Sequence, residues 1–222
     1  VLTGLTNNWA NGGELKNEGY DAAFNVKVLA LKNWKWQIGA SVGHYKNEIT
    51  ELPVVNKKKE IMTDVYGATI LTKIGEAANV FYGYETQGVF ATTEEAEAAG
   101  LYMLDDNGKT KHFFGAGDVR FVNQNPDDGG LIDENDRVVI GNPNPDFYGN
   151  IRSSLTWKHL TLDATFNYSV GNDVYNYMRS QLEGGNRFMN QSIAMVNRWQ
   201  WEGQETNMPR ATFQDPMNNS RF

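Results

Sequence analysis

The sequence predicts an all-β chain built from long antiparallel strands. Three observations carry this: side chains alternate between apolar and polar over runs of about ten residues, aromatic residues make 12% of the chain beside 22 glycines, and no run approaches the roughly 18 apolar residues of a spanning helix. Flat rings and tight turns go together in antiparallel sheets. At 222 residues the chain is long enough to bury a sizeable core.

The first element is a hairpin over Tyr20 to Tyr45. Tyr20, Ala22, Phe24, Val26, Val28 and Ala30 occupy one face, and Asp21, Ala23, Asn25 and Lys27 the other, before Leu29 and Leu31 blur the pattern. A turn at Lys32-Asn33 follows. Trp34, Trp36, Ile38, Ala40 and Val42 then alternate with Lys35, Gln37, Gly39, Ser41 and Gly43. Period two is the mark of a strand.

The link from Asn47 to Asp146 predicts further strands around Asp64–Lys73 and Asn79–Phe90. Between Thr92 and Gly100, a Thr cap, early glutamates, good helix formers and a closing Gly predict a helix of about two turns. The second hairpin runs from Asp146 to Val170. Phe147, Gly149, Ile151, Ser153, Leu155 and Trp157 alternate with polar neighbours, and Leu160, Leu162, Ala164, Phe166, Tyr168 and Val170 face away from Thr161, Asp163, Thr165, Asn167 and Ser169. From Asn172 to Trp201, apolar residues at helical spacing around Gly184-Gly185 predict two helices in a loop.

Strands this long exceed the usual five or six residues of soluble sheets and match the roughly 9–11 needed to cross a bilayer at a tilt. Trp34, Trp36, Tyr45, Phe147, Trp157 and Tyr168 sit near strand ends, as an interfacial girdle requires. Short turns alternate with long links, the asymmetry of periplasmic turns and extracellular loops. The mean hydropathy of -0.55 is compatible with this, because only every second residue would face lipid. The fold class is therefore an antiparallel transmembrane β-barrel segment with long extracellular loops containing short helices. The alternative is a soluble β-sandwich with one wet face, a binding or adhesion module recognising carbohydrate or peptide through aromatic loops.

Composition excludes several functions. A net charge of -7 argues against a nucleic-acid partner, and the basic run Lys57-Lys58-Lys59 reads as a solvated loop. No cysteine is present, so thiolate sites are impossible. His44, His112 and His159 lie too far apart in sequence for a helix-borne zinc site, no G-x-S-x-G elbow occurs, and Glu94-Glu95 and Asp105-Asp106 are neighbours whose side chains diverge. An enzyme is not expected. Tyr82, Tyr84, Tyr175, Tyr177, Trp199 and Trp201 are the candidates for contact with cargo or a lid, since rings supply apolar area with a polar tip; the competing reading is loop packing. The opening Val1-Leu2-Thr3-Gly4 carries no export signal, so the chain is expected to begin within a longer protein.

Several phrases in order resemble the SusC/RagA family of TonB-dependent outer-membrane transporters. They are Gly13-Glu14-Leu15-Lys16-Asn17-Glu18-Gly19-Tyr20, Tyr45-Lys46-Asn47-Glu48-Ile49-Thr50, Ile74–Tyr84 with Gly88-Val89-Phe90, Gly117–Phe121, and above all Asp133–Phe147. The resemblance implies a barrel of roughly 22 strands, a plug, a TonB-contacting segment, a SusD-like surface lipoprotein and glycan or peptide cargo in the outer membrane of a Bacteroidetes-like Gram-negative bacterium. Residues 1–222 would then be a partial barrel domain without plug or signal, since that many strands need at least about 220 residues before any loop is counted, and Asn219–Phe222 would run on into further strands. Asn123–Asp136 has the look of a Ca²⁺ loop, which needs oxygen ligands on alternate residues and a Gly at the sharp turn, with Asn123, Asn125, Asp127, Asp133 and Asp136 as ligands, and members of the resembled family carry a fuller form of that pattern. Asn123 at the first ligand position and Pro126 in place of Gly depart from that pattern, which leaves a solvated acidic turn as the other reading.

Overall fold

The computed structural model describes residues 12–53, 59–105 and 107–213. Val1–Gly4, Lys57, Lys58, Asp106 and Asn219–Phe222 lie outside the described residues. Alternating side chains leave the backbone extended: β1 spans Glu14–Ala30, β2 Trp34–Glu51, β11 Phe147–Trp157 and β12 Leu160–Val170, so the second hairpin has its predicted bounds while the first extends beyond the predicted Tyr20–Tyr45 at both outer ends. The intervening strands are short. They are β3 Glu60–Val65, β4 Ala68–Lys73, β5 Val80–Tyr84, β6 Thr86–Val89, β7 Tyr102–Leu104, β8 Lys111–Phe113, β9 Val119–Phe121 and β10 Arg137–Gly141. Among the described residues two short α-helices occur, α1 Thr93–Ala99 and α2 Tyr177–Glu183, beside three 3-10 turns.

The chain divides into two compact units. The first holds the four long strands, in the antiparallel order β1-β2-β11-β12. β2 pairs with β11 from Trp34↔Trp157 to Gly43↔Tyr148, although the whole stretch from Leu52 to Asp146 separates them in sequence. The Lys158 N–H donates to the Asn33 carbonyl (2.9 Å), so both tight turns lie side by side at one end of the sheet.

Register sorts the side chains into two faces. Phe24, Ala40, Ile151 and Phe166 form one cross-strand row, Ala22, Val42, Gly149 and Tyr168 the next, and Trp36, Leu155 and Leu162 another. The opposite face carries Asn25, Gly39, Arg152 and Thr165, then Lys27, Gln37, Ser154 and Asp163. In β1 the alternation slips at a bulge between Lys27 and Leu29, which places Leu29 opposite Trp36 and Ala30 opposite Lys35. Leu29 thus joins the apolar face and Ala30 the polar one, which corrects the assignment of Ala30 from strict alternation and accounts for the blur in the pattern. Tyr45 pairs with Gly19, one residue out of phase with His44, and meets Tyr148 edge-on at 5.9 Å on the polar face. It does not belong to an outward girdle.

The second unit has a core of Phe90, Ala96, Leu101, Phe114, Val119, Phe121 and Ile132, with Tyr84 and Met103 packed against it. α1 is capped as its sequence predicts, with Thr92 Oγ1 accepting from the Glu95 N–H (3.1 Å) and Gly100 in the left-handed region (φ 62). Its first N–H, that of Thr93, donates to Glu202 (2.6 Å). In the predicted strand Asp64–Lys73, Tyr66 (φ 52) and Gly67 (φ 88) turn the chain, so two strands form instead of one. The predicted strand Asn79–Phe90 is likewise interrupted at Glu85. In the segment Asn172–Trp201, α2 stops at Gly184-Gly185 and a short 3-10 turn occupies Ile193–Asn197. Within this unit β6 pairs with β9 and β7 with β8, both antiparallel.

Candidate functional site

The long sheet leaves large apolar side chains in the open. Phe166 is 70% exposed and Leu162 67%, with Phe24, Ile151, Leu160 and Val170 also exposed on the same face. Four strands at about 4.8 Å spacing and roughly 34 Å length present an apolar face on the order of 600 Å². That reaches the largest patch found on ordinary soluble monomers. The patch has aromatic borders. Trp34 and Trp157 stack at the turn end (5.7 Å), while His44 lies 5.4 Å from both Tyr20 and Phe147 at the other. The ten residue steps from Trp34 to His44 cover about 34 Å along the strand, which a tilt of about 40° reduces to roughly 26 Å of height. An apolar band of about 25 Å is what a bilayer accepts.

Immediately past the Tyr20–His44 row the same face becomes charged. Glu18 is paired opposite Lys46 and Lys16 opposite Glu48, with Lys16 2.7 Å from Glu18. The hydrogen bond and charge of Lys16 hold the Glu18 carboxyl below the usual carboxylate range, and Glu18 raises Lys16 in turn. Both groups stay ionised. On the polar face, small residues of β1 and β2 open a hollow of about 480 Å³ lined by Asp21, Ser41, Gly43, Tyr148, Asn150 and Asn167. Tyr168 lies across Gly149, and its hydroxyl donates to the Ser41 carbonyl (2.9 Å), so a phenol on the apolar side carries no unmet polar atom.

Beyond the apolar band, the quoted sequence phrases prove to be stitching. The buried Asn47 side chain accepts from the Ala78 N–H (2.7 Å), Ile49 exchanges backbone bonds with Gly75 and Glu76, and Asn144 reaches the Ala78 carbonyl (3.4 Å). Asp173 closes the arrangement by accepting from Asn142 N–H at 2.8 Å. These residues position chain segments.

The acidic loop is internally bonded. Asp136 is fully buried and accepts from the Gln124 (2.7 Å) and Asp133 (2.8 Å) N–H groups. Asp133 caps a short 3-10 turn by accepting from the Asn135 N–H (2.7 Å). Asn123 Oδ1 accepts from the Asn125 N–H (2.7 Å), and its amide donates to Asp128 (2.9 Å). Asp127 lies in the Pro126–Asp128 turn. Among the described residues no three His, Asp or Glu side chains come together as a cation-holding group.

The six aromatic candidates fall into separate settings. Tyr82 and Tyr84 flank the Arg137 guanidinium at 5.9 and 5.4 Å, and Tyr84 also meets Phe121 edge-on. Burial pushes the Tyr84 phenol above its ordinary value, with Arg137 opposing that shift. Trp199 packs on Gly117 and donates to the Ala91 carbonyl (3.0 Å), a structural seat. Tyr175 and Tyr177 gather around Tyr66, which sequence reasoning missed, and Trp201 is exposed. Also missed is a buried ion pair: Asp118, with no exposed surface, takes both Arg210 nitrogens at 2.7 and 3.0 Å and the Gly115 N–H at 2.8 Å. Only the Asp118 half lies inside a recognisable phrase, so no local signal pointed to its partner.

Comparison with known proteins agrees with this architecture. No family model matches the chain. One TonB-dependent receptor of Formosa agariphila is 27% identical over 99% of the chain, covering 21% of that receptor, and a second from the same organism is 28% identical over 94%, covering 20%. The RagAB peptide transporter shares the fold, with a TM-score of 0.62 and 24% identity over 95% of this chain and 21% of that one; the closed-closed state of the RagAB peptide importer gives 0.64. The chain spans about a fifth of the length of the curated relatives it matches. The resemblance read in the sequence agrees with these likenesses: the chain aligns with one stretch of proteins named TonB-dependent receptors and shares the fold of one stretch of RagAB.

Proposed function

We propose that this chain forms part of the wall and outer loops of a TonB-dependent transporter in the outer membrane of a Gram-negative, Bacteroidetes-like bacterium. The protein would import glycans, oligosaccharides or oligopeptides together with a SusD-like surface lipoprotein, drawing energy from TonB. The carrying observation is the exposed apolar face of β1-β2-β11-β12, closed at both ends by aromatic rows and backed by a polar face.

Physical chemistry assigns each face a solvent. A backbone in lipid must satisfy all its hydrogen bonds, which paired strands do, and the outward side chains must then be apolar. The polar face, with its hollow at Asp21, Tyr148 and Asn150, would line an aqueous lumen through which cargo passes. Phe166 and Thr165 are sequence neighbours on opposite faces, which makes them a clean test. Phe166→Lys is expected to weaken membrane assembly by roughly 2–4 kcal/mol, and Thr165→Lys to leave it nearly unchanged. Assembly is read as heat-modifiable, detergent-extracted protein in the membrane fraction. Equal tolerance of both lysines, or a protein freely soluble without detergent, would favour a soluble binding module.

A further inference from the structure

Tyr66 occupies a position that its side chain makes unfavourable. The Tyr66-Gly67 turn joins β3 to β4 with φ of 52 and 88, the two positive angles of a type I′ hairpin, where Asn-Gly or Asp-Gly is the usual choice. A bulky ring in the left-handed region crowds its own carbonyl, and burial does not offset this, because Tyr66 is 75% exposed. Its neighbours nevertheless hold it in place. The Tyr175 hydroxyl donates to the Tyr66 carbonyl (3.1 Å), and the Tyr177 ring, 40% exposed, lies 5.2 Å away at 44°. Tyr177 is fixed in its turn, since it opens α2, whose cap Asn176 accepts from the Arg179 N–H at 2.9 Å.

We infer that Tyr66 is a ligand-contact residue and that Tyr66 and Tyr177 form a preorganised platform for the C–H face of a neutral sugar ring. Strain retained at an exposed residue is accounted for when the ring is needed there. Flat apolar faces with phenol tips match a sugar's C–H face and its rim of hydroxyls. Charge disfavours an anionic ligand: Arg179 is engaged by Glu183 at 2.9 Å, and the chain carries a net charge of -7. An extended peptide is disfavoured too, because it would pair along a strand edge, whereas this platform sits at a hairpin tip. Regarding the sugar as cargo rests on the transport reading; the binding itself does not.

The test opposes stability to binding in the full-length protein that carries this chain. Tyr66→Asn relieves the left-handed strain, so it is expected to raise the melting temperature while weakening the best-bound member of a panel of malto-, cello- and xylo-oligosaccharides roughly tenfold. Tyr66→Phe should keep most of the binding, and Tyr177→Ala should lose it. Unchanged binding in Tyr66→Asn, a lowered melting temperature, no affinity for any neutral oligosaccharide, or preference for a uronate oligosaccharide or a proline-rich peptide would each overturn the assignment. Failure to fractionate with membranes would instead remove the transport reading and leave these binding results standing.

Discussion

Two residues of the second unit show how environment outranks residue type. Asp118 is a carboxylate with no access to water, and its cost is met by a bidentate guanidinium and a backbone N–H. Removing the cation takes the bidentate guanidinium from a fully buried carboxylate, so Arg210→Ala is expected to destabilise the protein by about 3 kcal/mol, read as a lower denaturation midpoint at unchanged slope. Gly117 beside it has φ 84 and faces the Trp199 ring, which ties the same spot to a second segment. Tyr84 makes a pH prediction. Because burial raises its pKa in the fold above the ordinary 10.0, its contribution to stability is complete below that value and is lost as pH rises through the folded pKa. Tyr84→Phe should therefore flatten the alkaline fall in melting temperature, and tyrosinate absorbance should lack one late-titrating group.

At the scale of elements, legibility followed periodicity. Both long hairpins could be read because alternation over ten or more residues repeats the pleat itself, and α1 because its caps are local. The bulge at Val28 was visible only as a blur, since one extra residue inverts the alternation that follows. The split of β3 from β4 was not legible, because Tyr is a poor herald of a left-handed turn. The Asn123–Asp136 loop had two readings, and its geometry makes them separable. A turn bonded by its own amides should keep its melting temperature in millimolar Ca²⁺ and after chelation; a shift of several degrees would support the Ca²⁺ reading instead. Asp136→Asn should destabilise the loop in either case, because the buried carboxylate serves two N–H groups.

For the molecule as a whole, the proposal that the long sheet spans a membrane carries an orientation with it, because both tight turns lie at one end of the sheet. If those turns are periplasmic, single cysteines at Asn186 and Gly129 are expected to react with an impermeant maleimide on intact cells, in a chain with no native thiol to interfere. Labelling only after the membrane is breached would invert the topology. Of the six aromatic candidates, Tyr175 and Tyr177 surround an exposed ring while Tyr84 and Trp199 are committed to packing, a distinction that composition could not draw. The sequence by itself determined the all-β class, the two long hairpins and, outside the bulge, which side chains share a face, because period two and tight turns act over a few residues. Tertiary structure alone decided that β2 lies against β11, that Arg210 reaches Asp118 and that Tyr177 meets Tyr66. Those contacts join residues about a hundred positions apart, and which distant partners meet is settled by the burial and pairing of the folded whole.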